Sequence, residues 1–147
     1  MIKTYKEIEY IVYWFEEIGS FNGYVKLPEN HKFQKFIDEK KEIFGKELSM
    51  GYDKMGIDVH GGLTFSDRIT EKNQKDFPQG FSLGSWIGWD YAHYGDKLMK
   101  KKKFSVKNFQ WAMIKWVLMK FLDSGKQWTE EEVEQECKKV IDQLLEQ

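Results

Sequence analysis

The sequence of 147 residues predicts a single α+β domain over residues 1–147, in which a small, mostly antiparallel sheet packs with N-terminal and C-terminal helices. Two observations lead to this fold class. Apolar residues recur at helical spacing near both ends of the chain, and short alternating apolar segments flanked by glycine lie between them. No internal repeat or interdomain linker divides the chain, and its length is sufficient for one hydrophobic core.

The N-terminal segment has the apolar spacing of an amphipathic helix, and Gly19 is a natural stop for it. We therefore expect a helix of about 15 residues there. Its apolar positions are Tyr5, Ile8, Ile11, Val12, Phe15 and Ile18.

The middle of the chain predicts the strands. Residues 21–28 resemble a turn followed by a short strand that Pro28 ends, and residues 81–91 form another strand candidate. Residues 56–60 alternate like a strand, which Gly61 and Gly62 interrupt before residues 63–65 resume it. Residues 31–47 indicate a weakly amphipathic helix or a partly ordered excursion, and residues 67–80 a polar loop.

The C-terminal part predicts two helices. Residues 105–122 are apolar on most sides, so we expect this helix to be buried or to form a partner surface, with homo-oligomerisation through residues 109–122. Thr129 and Glu132 form a capping box, after which apolar residues follow at helical spacing to Leu145.

Composition excludes several classes of protein. The formal net charge of -1, from 23 basic and 24 acidic residues, argues against a protein that grips duplex nucleic acid. The single cysteine, Cys137, cannot form an internal disulfide and is expected to be a buried spectator. Without a signal peptide or a long apolar run, we expect a cytoplasmic protein with no membrane partner. No P-loop, dinucleotide fingerprint or serine-hydrolase elbow is present.

The segment 85–96 is the strongest indication of a binding site. It contains two of the six tryptophans, two of the seven tyrosines, one of the three histidines and two carboxylates, with glycines between them. Rings, an imidazole and glycines that admit close backbone approach suit a pocket for a planar, polar ligand.

Two histidines could share this site if residues 56–65 and 81–91 are neighbours. His60 and His93 would then converge with Asp58, Asp90 or Asp96, and could act in general acid–base catalysis. The same residues could hold a divalent metal, although their spacing matches no strong zinc pattern, so we expect no metal and no cofactor. The alternative is that both histidines are structural and bond to backbone beside the glycines.

Two interpretations are also possible for the aromatic residues. They could simply fill the core, but alternation sends Trp86 and Trp89 to opposite faces of a strand. At least one of them could therefore stack on a base, with Tyr24 as a further candidate for the pocket wall. Lysines at 97–107 are most simply a solvated surface, yet they could attract ligand phosphates.

Three segments together resemble a widespread family of small, mostly uncharacterised bacteriophage and prophage proteins. The segments are 22–28 (Asn-Gly-Tyr-Val-Lys-Leu-Pro), 57–65 with Val-His-Gly-Gly-Leu-Thr, and 86–96 with Trp-x-Gly-aromatic-Asp-x-Ala-His-x-Gly-Asp. The family often has Phe and Cys where this chain has Trp89 and Tyr91, so a thiol is not expected in any shared chemistry. The resemblance implies expression in the cytoplasm of an infected bacterial host.

From this we predict a phage-encoded protein that binds a small nucleotide-derived immune signal and sequesters it. The alternatives are a nucleotide phosphodiesterase or related hydrolase, with His60, His93 and Asp90 as its catalytic residues, and a protein-interaction module. The predicted ligand-binding residues are Tyr24, His60, Gly61, Gly62, Trp86, Trp89, Asp90, His93 and Asp96.

Overall fold

A computed structural model describes residues 1–91 and 127–147 of the chain. The predicted helix at 105–122, the lysines at 97–107, His93 and Asp96 lie outside these residues. Among the described residues no helix is long and apolar enough to cross a membrane.

The main sheet has five strands, and every pair of neighbours in it is antiparallel. Its order is β1-β2-β3-β7-β6, and the described part of the chain has the predicted α+β fold. The strands are β1 (Lys3–Tyr5), β2 (Ile8–Phe15), β3 (Ser20–Lys26), β6 (Phe65–Ile69) and β7 (Gly84–Asp90).

The remaining elements surround this sheet. A separate hairpin lies between β3 and β6, and one long helix follows at the C terminus, beginning at the predicted capping box of Thr129 and Glu132. They are α1 (Gln34–Ile37), β4 (Lys40–Ile43), β5 (Lys46–Ser49), 3-10 turns at Gly51–Lys54 and Gln74–Asp76, and α2 (Glu130–Glu146).

The predicted N-terminal helix is wrong, because residues 3–15 form the β1–β2 hairpin. Its turn has Lys6 and Glu7 at positive φ, of 49° and 67°. The segment 8–15 consists mainly of β-branched and aromatic residues, which favour strands. Since β2 is covered on both faces, its apolar residues do not alternate cleanly with polar ones, and their spacing imitates a helix.

Other predictions need smaller corrections. Residues 56–60 are irregular rather than a strand, because Gly56, Gly61 and Gly62 have positive φ, and the strand begins only at Phe65. This strand extends to Ile69, into the predicted loop. Residues 31–47 contain the four-residue α1 and most of the β4–β5 hairpin instead of a longer helix. The strand predicted within 81–91 is confirmed as β7, and the strand predicted within 21–28 is confirmed as β3. The turn predicted before the second of these is wrong, because β3 already begins at Ser20.

The sheet separates two apolar clusters. On the side that we call the helix face, α2 packs on a cluster that includes Tyr10, Val25, Trp89 and Cys137. On the opposite side, which we call the loop face, residues of the loop 70–83 cover a smaller cluster. Its buried members are Ile11, Tyr24, Ile69, Phe81 and Trp86.

Candidate functional site

Three rings meet where the helix face ends, beside the start of α2. The imidazole of His60 stacks on the ring of Tyr91, with centroids 5.0 Å apart and planes 6° from parallel. Trp128 contacts both, at 4.7 Å from His60 and 4.8 Å from Tyr91. Tyr91 is buried, whereas His60 and Trp128 are partly exposed. We call these three residues the ring cluster.

The backbone around His60 explains how the ring reaches this position. Gly61 and Gly62 both have positive φ, and the amide of Gly62 donates to the carbonyl of Val59 at 2.9 Å. Only glycine adopts such a conformation without steric cost, so this tight turn fixes the direction of the His60 side chain. The role of Gly61 and Gly62 is therefore to form this turn.

The segment before the turn is attached to α2. The side-chain amide of Gln143 donates to the carbonyl of Asp58 and accepts from its N–H, both at 2.7 Å. The Asp58 carboxylate itself is directed toward Lys139, at 3.6 Å. The Asp58 carboxylate therefore forms an ion pair on the surface of α2.

On the loop face, a polar cluster surrounds the hydroxyl of Tyr24. The side-chain amides of Asn22 and Gln79 donate to this oxygen at 3.1 and 3.2 Å. Asp90 pairs with Asn22 across β3 and β7, and its carboxylate accepts from the Thr64 hydroxyl at 3.2 Å. Burial raises the pKa of Tyr24, and the nearby charge of Asp90 raises it further. Tyr24 is thus a neutral, structural hydroxyl.

Both predicted tryptophans of β7 are enclosed. Trp86 is 0% exposed on the loop face, where its Nε1 donates to the carbonyl of Ser82 at 2.9 Å. Trp89 is 1% exposed on the helix face, and its Nε1 donates to the hydroxyl of Tyr91 at 3.0 Å. The predicted alternation is confirmed, and neither indole presents a face to solvent on which a base could stack.

The glycines beside these rings have a packing role. A Cβ on Gly23 would collide with the six-membered ring of Trp89, and one on Gly88 would collide with the ring of Tyr24. Since Gly23 pairs with Trp89 and Gly88 with Tyr24, each ring lies over the glycine opposite it, on opposite faces of the sheet. Gly88, which belongs to the segment where we expected glycines to admit a ligand, therefore admits a ring, and Gly23 does the same on the other face.

The predicted site residues are thus divided by the sheet. His60 and Trp89 lie on the helix face, whereas Tyr24, Trp86 and Asp90 lie on the loop face. The two segments are neighbours, which was the condition for a shared site, since His60 stacks on Tyr91. This proximity does not bring Asp90 to His60, because Asp90 pairs with Asn22 and bonds to Thr64.

Sequence reasoning missed Trp128. The signal was available, because Trp128 directly precedes the helix N-cap Thr129, where an apolar residue often packs on the first turn of a helix. That position at the start of α2 brings the indole to the ring cluster.

Three grooves of about 370–480 Å³ lie elsewhere on the surface, and none of these three is lined by a predicted ligand-binding residue. Within residues 1–91 and 127–147, no group of three or more His, Cys, Asp or Glu side chains is arranged to hold a metal ion.

Comparisons of the chain with protein-family models, curated proteins and solved structures found no match.

Proposed function

We propose that this protein binds a small, planar, nucleotide-like ligand at the ring cluster and holds it without chemical change. The observation that supports this is the cluster itself, in which His60 and Trp128 are partly exposed while buried Tyr91 fixes the imidazole from behind. Stacking of a base on an aromatic ring contributes about 1–3 kcal/mol, so one or two such contacts can anchor a nucleotide.

The turn beside the cluster offers a place for the polar part of such a ligand. Gly61 and Gly62 have no side chains, so a phosphate can approach the backbone closely there. In this arrangement the base stacks on His60 or Trp128, and the phosphate lies over the turn. Trp86, Trp89 and Tyr24 then support the sheet from within and do not contact the ligand.

The partly exposed rings of His60 and Trp128 support binding, because they offer surfaces on which a base can stack. The hydrolase alternative requires a carboxylate that orients the imidazole. Of the described carboxylates, Asp90 bonds to Thr64 and pairs with Asn22 on the loop face, and Asp58 is directed to Lys139. With the resemblance of segments 22–28, 57–65 and 86–96 to phage proteins, we propose that the ligand is a nucleotide-derived immune signal, sequestered in the cytoplasm of an infected bacterium.

A ligand panel tests this proposal. The purified protein is heated with cyclic mono-, di- and trinucleotides and with cyclic ADP-ribose, and its melting temperature is recorded for each. A ligand present at 100 times its Kd stabilises the folded state by about 2.7 kcal/mol, a shift of several degrees in a domain of this size. Heat denaturation then releases the ligand, and mass spectrometry should recover it intact.

Variants locate the site. We expect His60→Ala and Trp128→Ala each to weaken binding by about 5–150-fold, the equivalent of one stacking contact. Asp58→Ala is the matched control, because Asp58 lies in the same loop but outside the cluster, and it should bind normally. Absence of any melting shift, or unchanged binding by His60→Ala, would overturn the proposal. Recovery of degraded ligand would replace it with the hydrolase alternative.

A further inference from the structure

A groove separates the edge strand of the main sheet from the small hairpin. In the described part of the chain, β6 is the last strand of the five-stranded order, and β5 belongs to a separate two-stranded sheet. Some Cα atoms of β5 and β6 lie within 8 Å of one another, yet no backbone hydrogen bond joins the two strands. The groove has a volume of about 370 Å³ and is lined by residues 47–50 and 64–67 together with Lys40 and Tyr52.

The hydrogen-bonding direction of β6 follows from its partner β7. The carbonyl of Ser85 accepts from the amide of Leu27, so Ser85 directs its backbone groups toward β3. Its partner Arg68 must therefore direct its own N–H and C=O away from β7, and Ser66, two residues earlier, does the same. Among the described residues, these outward groups form the free edge of the sheet.

Within residues 1–91 and 127–147, side chains cap the edge at Arg68, and no such cap is found at Ser66. The Arg68 N–H donates to the Asp67 carboxylate at 2.8 Å, and the Arg68 carbonyl accepts from the Asn73 side chain at 2.9 Å. Such side-chain caps prevent strand pairing at an edge. Ser66 is only 3% exposed, and its hydroxyl is buried without a hydrogen-bond partner. Since a strand side chain points to one face of the sheet, this hydroxyl does not cap the backbone groups at the edge.

The other wall of the groove has matching groups. The hairpin turns through two residues, Phe44 and Gly45, so the pairs Ile43–Lys46 and Lys41–Leu48 carry its backbone hydrogen bonds. Glu47 and Ser49 consequently direct their N–H and C=O away from β4, toward the groove. Backbone groups of two edge strands thus face the same space.

We propose that this groove binds an extended peptide segment of a partner protein, which inserts as a strand between β5 and β6. An extended strand is the ligand that has N–H and C=O groups along both of its edges. Two strand spacings require roughly 9.6 Å, so where Cα atoms now lie within 8 Å the hairpin must move outward by at least about 1.6 Å. The absence of backbone bonds between β5 and β6 permits this movement.

The side chains around the groove define the peptide further. Leu48 is 43% exposed at its rim, and Phe65 and Met50 also line it, so a central apolar residue fits. The described lining of the groove includes two carboxylates, those of Glu47 and Asp67, and one cation, Lys40. A Lys or Arg beside the apolar residue of the peptide therefore complements the net negative charge of the groove.

Selection from a displayed library of random heptapeptides tests the proposal, followed by titration of the selected synthetic peptides against the full chain. We expect apolar sequences with a flanking basic residue, and N-methylation of the central peptide amide should weaken binding about tenfold. Ser66→Pro and Ser49→Pro each remove an outward N–H that belongs to no ladder, and each should also weaken binding about tenfold. Ser66→Ala keeps the backbone and is the matched control.

Several outcomes would overturn it. These are enrichment of no peptide, equal binding of the N-methylated peptide, and unchanged binding by both proline variants when circular dichroism shows them folded. If sedimentation shows that the chain self-associates and that Ser49→Pro makes it monomeric, the occupant is a second copy of the chain and the partner-protein proposal fails.

Discussion

Gly23 in β3 lies directly opposite Trp89 in β7, and the indole of Trp89 occupies the space that a side chain at position 23 would need. The adjacent pair repeats this relationship in reverse, with the ring of Tyr24 over Gly88 on the other face of the sheet. Two glycines and two rings thus fix the register of β3 against β7. A slip of one residue would oppose Tyr24 to Trp89 in one direction and Gly23 to Gly88 in the other, and either slip would move every side chain to the other face.

Gly23→Ala should therefore destabilise the protein, although alanine is less flexible than glycine in the unfolded chain. Overpacking in a core costs about 1–3 kcal/mol, and urea unfolding measures it. The matched control is the same substitution in a Trp89→Leu background, where the clash is absent and the additional cost of Gly23→Ala should nearly vanish. Equal costs in both backgrounds would show that the indole is not the obstacle.

The double hydrogen bond between Gln143 and the backbone of Asp58 attaches the loop of His60 to α2. We expect Gln143→Ala to lower the free energy of unfolding by about 1–2 kcal/mol, the value of two ordinary hydrogen bonds. The amide of Asp58 should exchange with solvent faster by hydrogen-exchange NMR. Lys139→Ala is the control, because its exposed ion pair with Asp58 is worth little and its loss should not alter exchange.

The fold and the site were accessible to sequence reasoning to different degrees. The capping box of Thr129 and Glu132 is local chemistry, so the start of α2 could be predicted to the residue. The β2 strand could not, because residues covered on both faces lose the alternation that distinguishes a strand from a helix. That residues 56–65 and 81–91 are neighbours was the condition for a shared site, and it is met. The sequence does not reveal that the sheet separates Asp90 from His60 or that Trp128 joins the cluster.

Cys137 provides a single-site probe of global opening. It is the one cysteine of the sequence, its side chain is 0% exposed, and burial raises the pKa of its thiol above the ordinary range. Because the thiolate is the reactive form, an aromatic disulfide reagent should react with the native protein about 10³-fold or more slowly than with the protein in urea. Fast reaction of the native protein would show that α2 opens independently of the sheet.

Glu9 makes part of the stability dependent on pH. Its carboxylate accepts from the Ser82 hydroxyl at 2.6 Å and pairs with Lys26 at 3.2 Å, and these interactions lower its pKa below the ordinary 4.5. Since the folded pKa is the lower one, the stabilisation is fully present above pH 4.5 and is lost as the pH falls through the folded value. In Ser82→Ala the carbon-detected NMR titration of Glu9 should move upward, toward 4.5.

The same substitution has a matching effect on unfolding. The free energy of unfolding should differ most between wild type and Ser82→Ala at neutral pH, and the difference should shrink in acid as Glu9 becomes protonated in both proteins. In a Glu9→Gln background, Ser82→Ala should have an effect that does not vary with pH. A difference that persists unchanged below the folded pKa would show that Ser82 stabilises the fold through Lys26 or through packing, and not through the charge of Glu9.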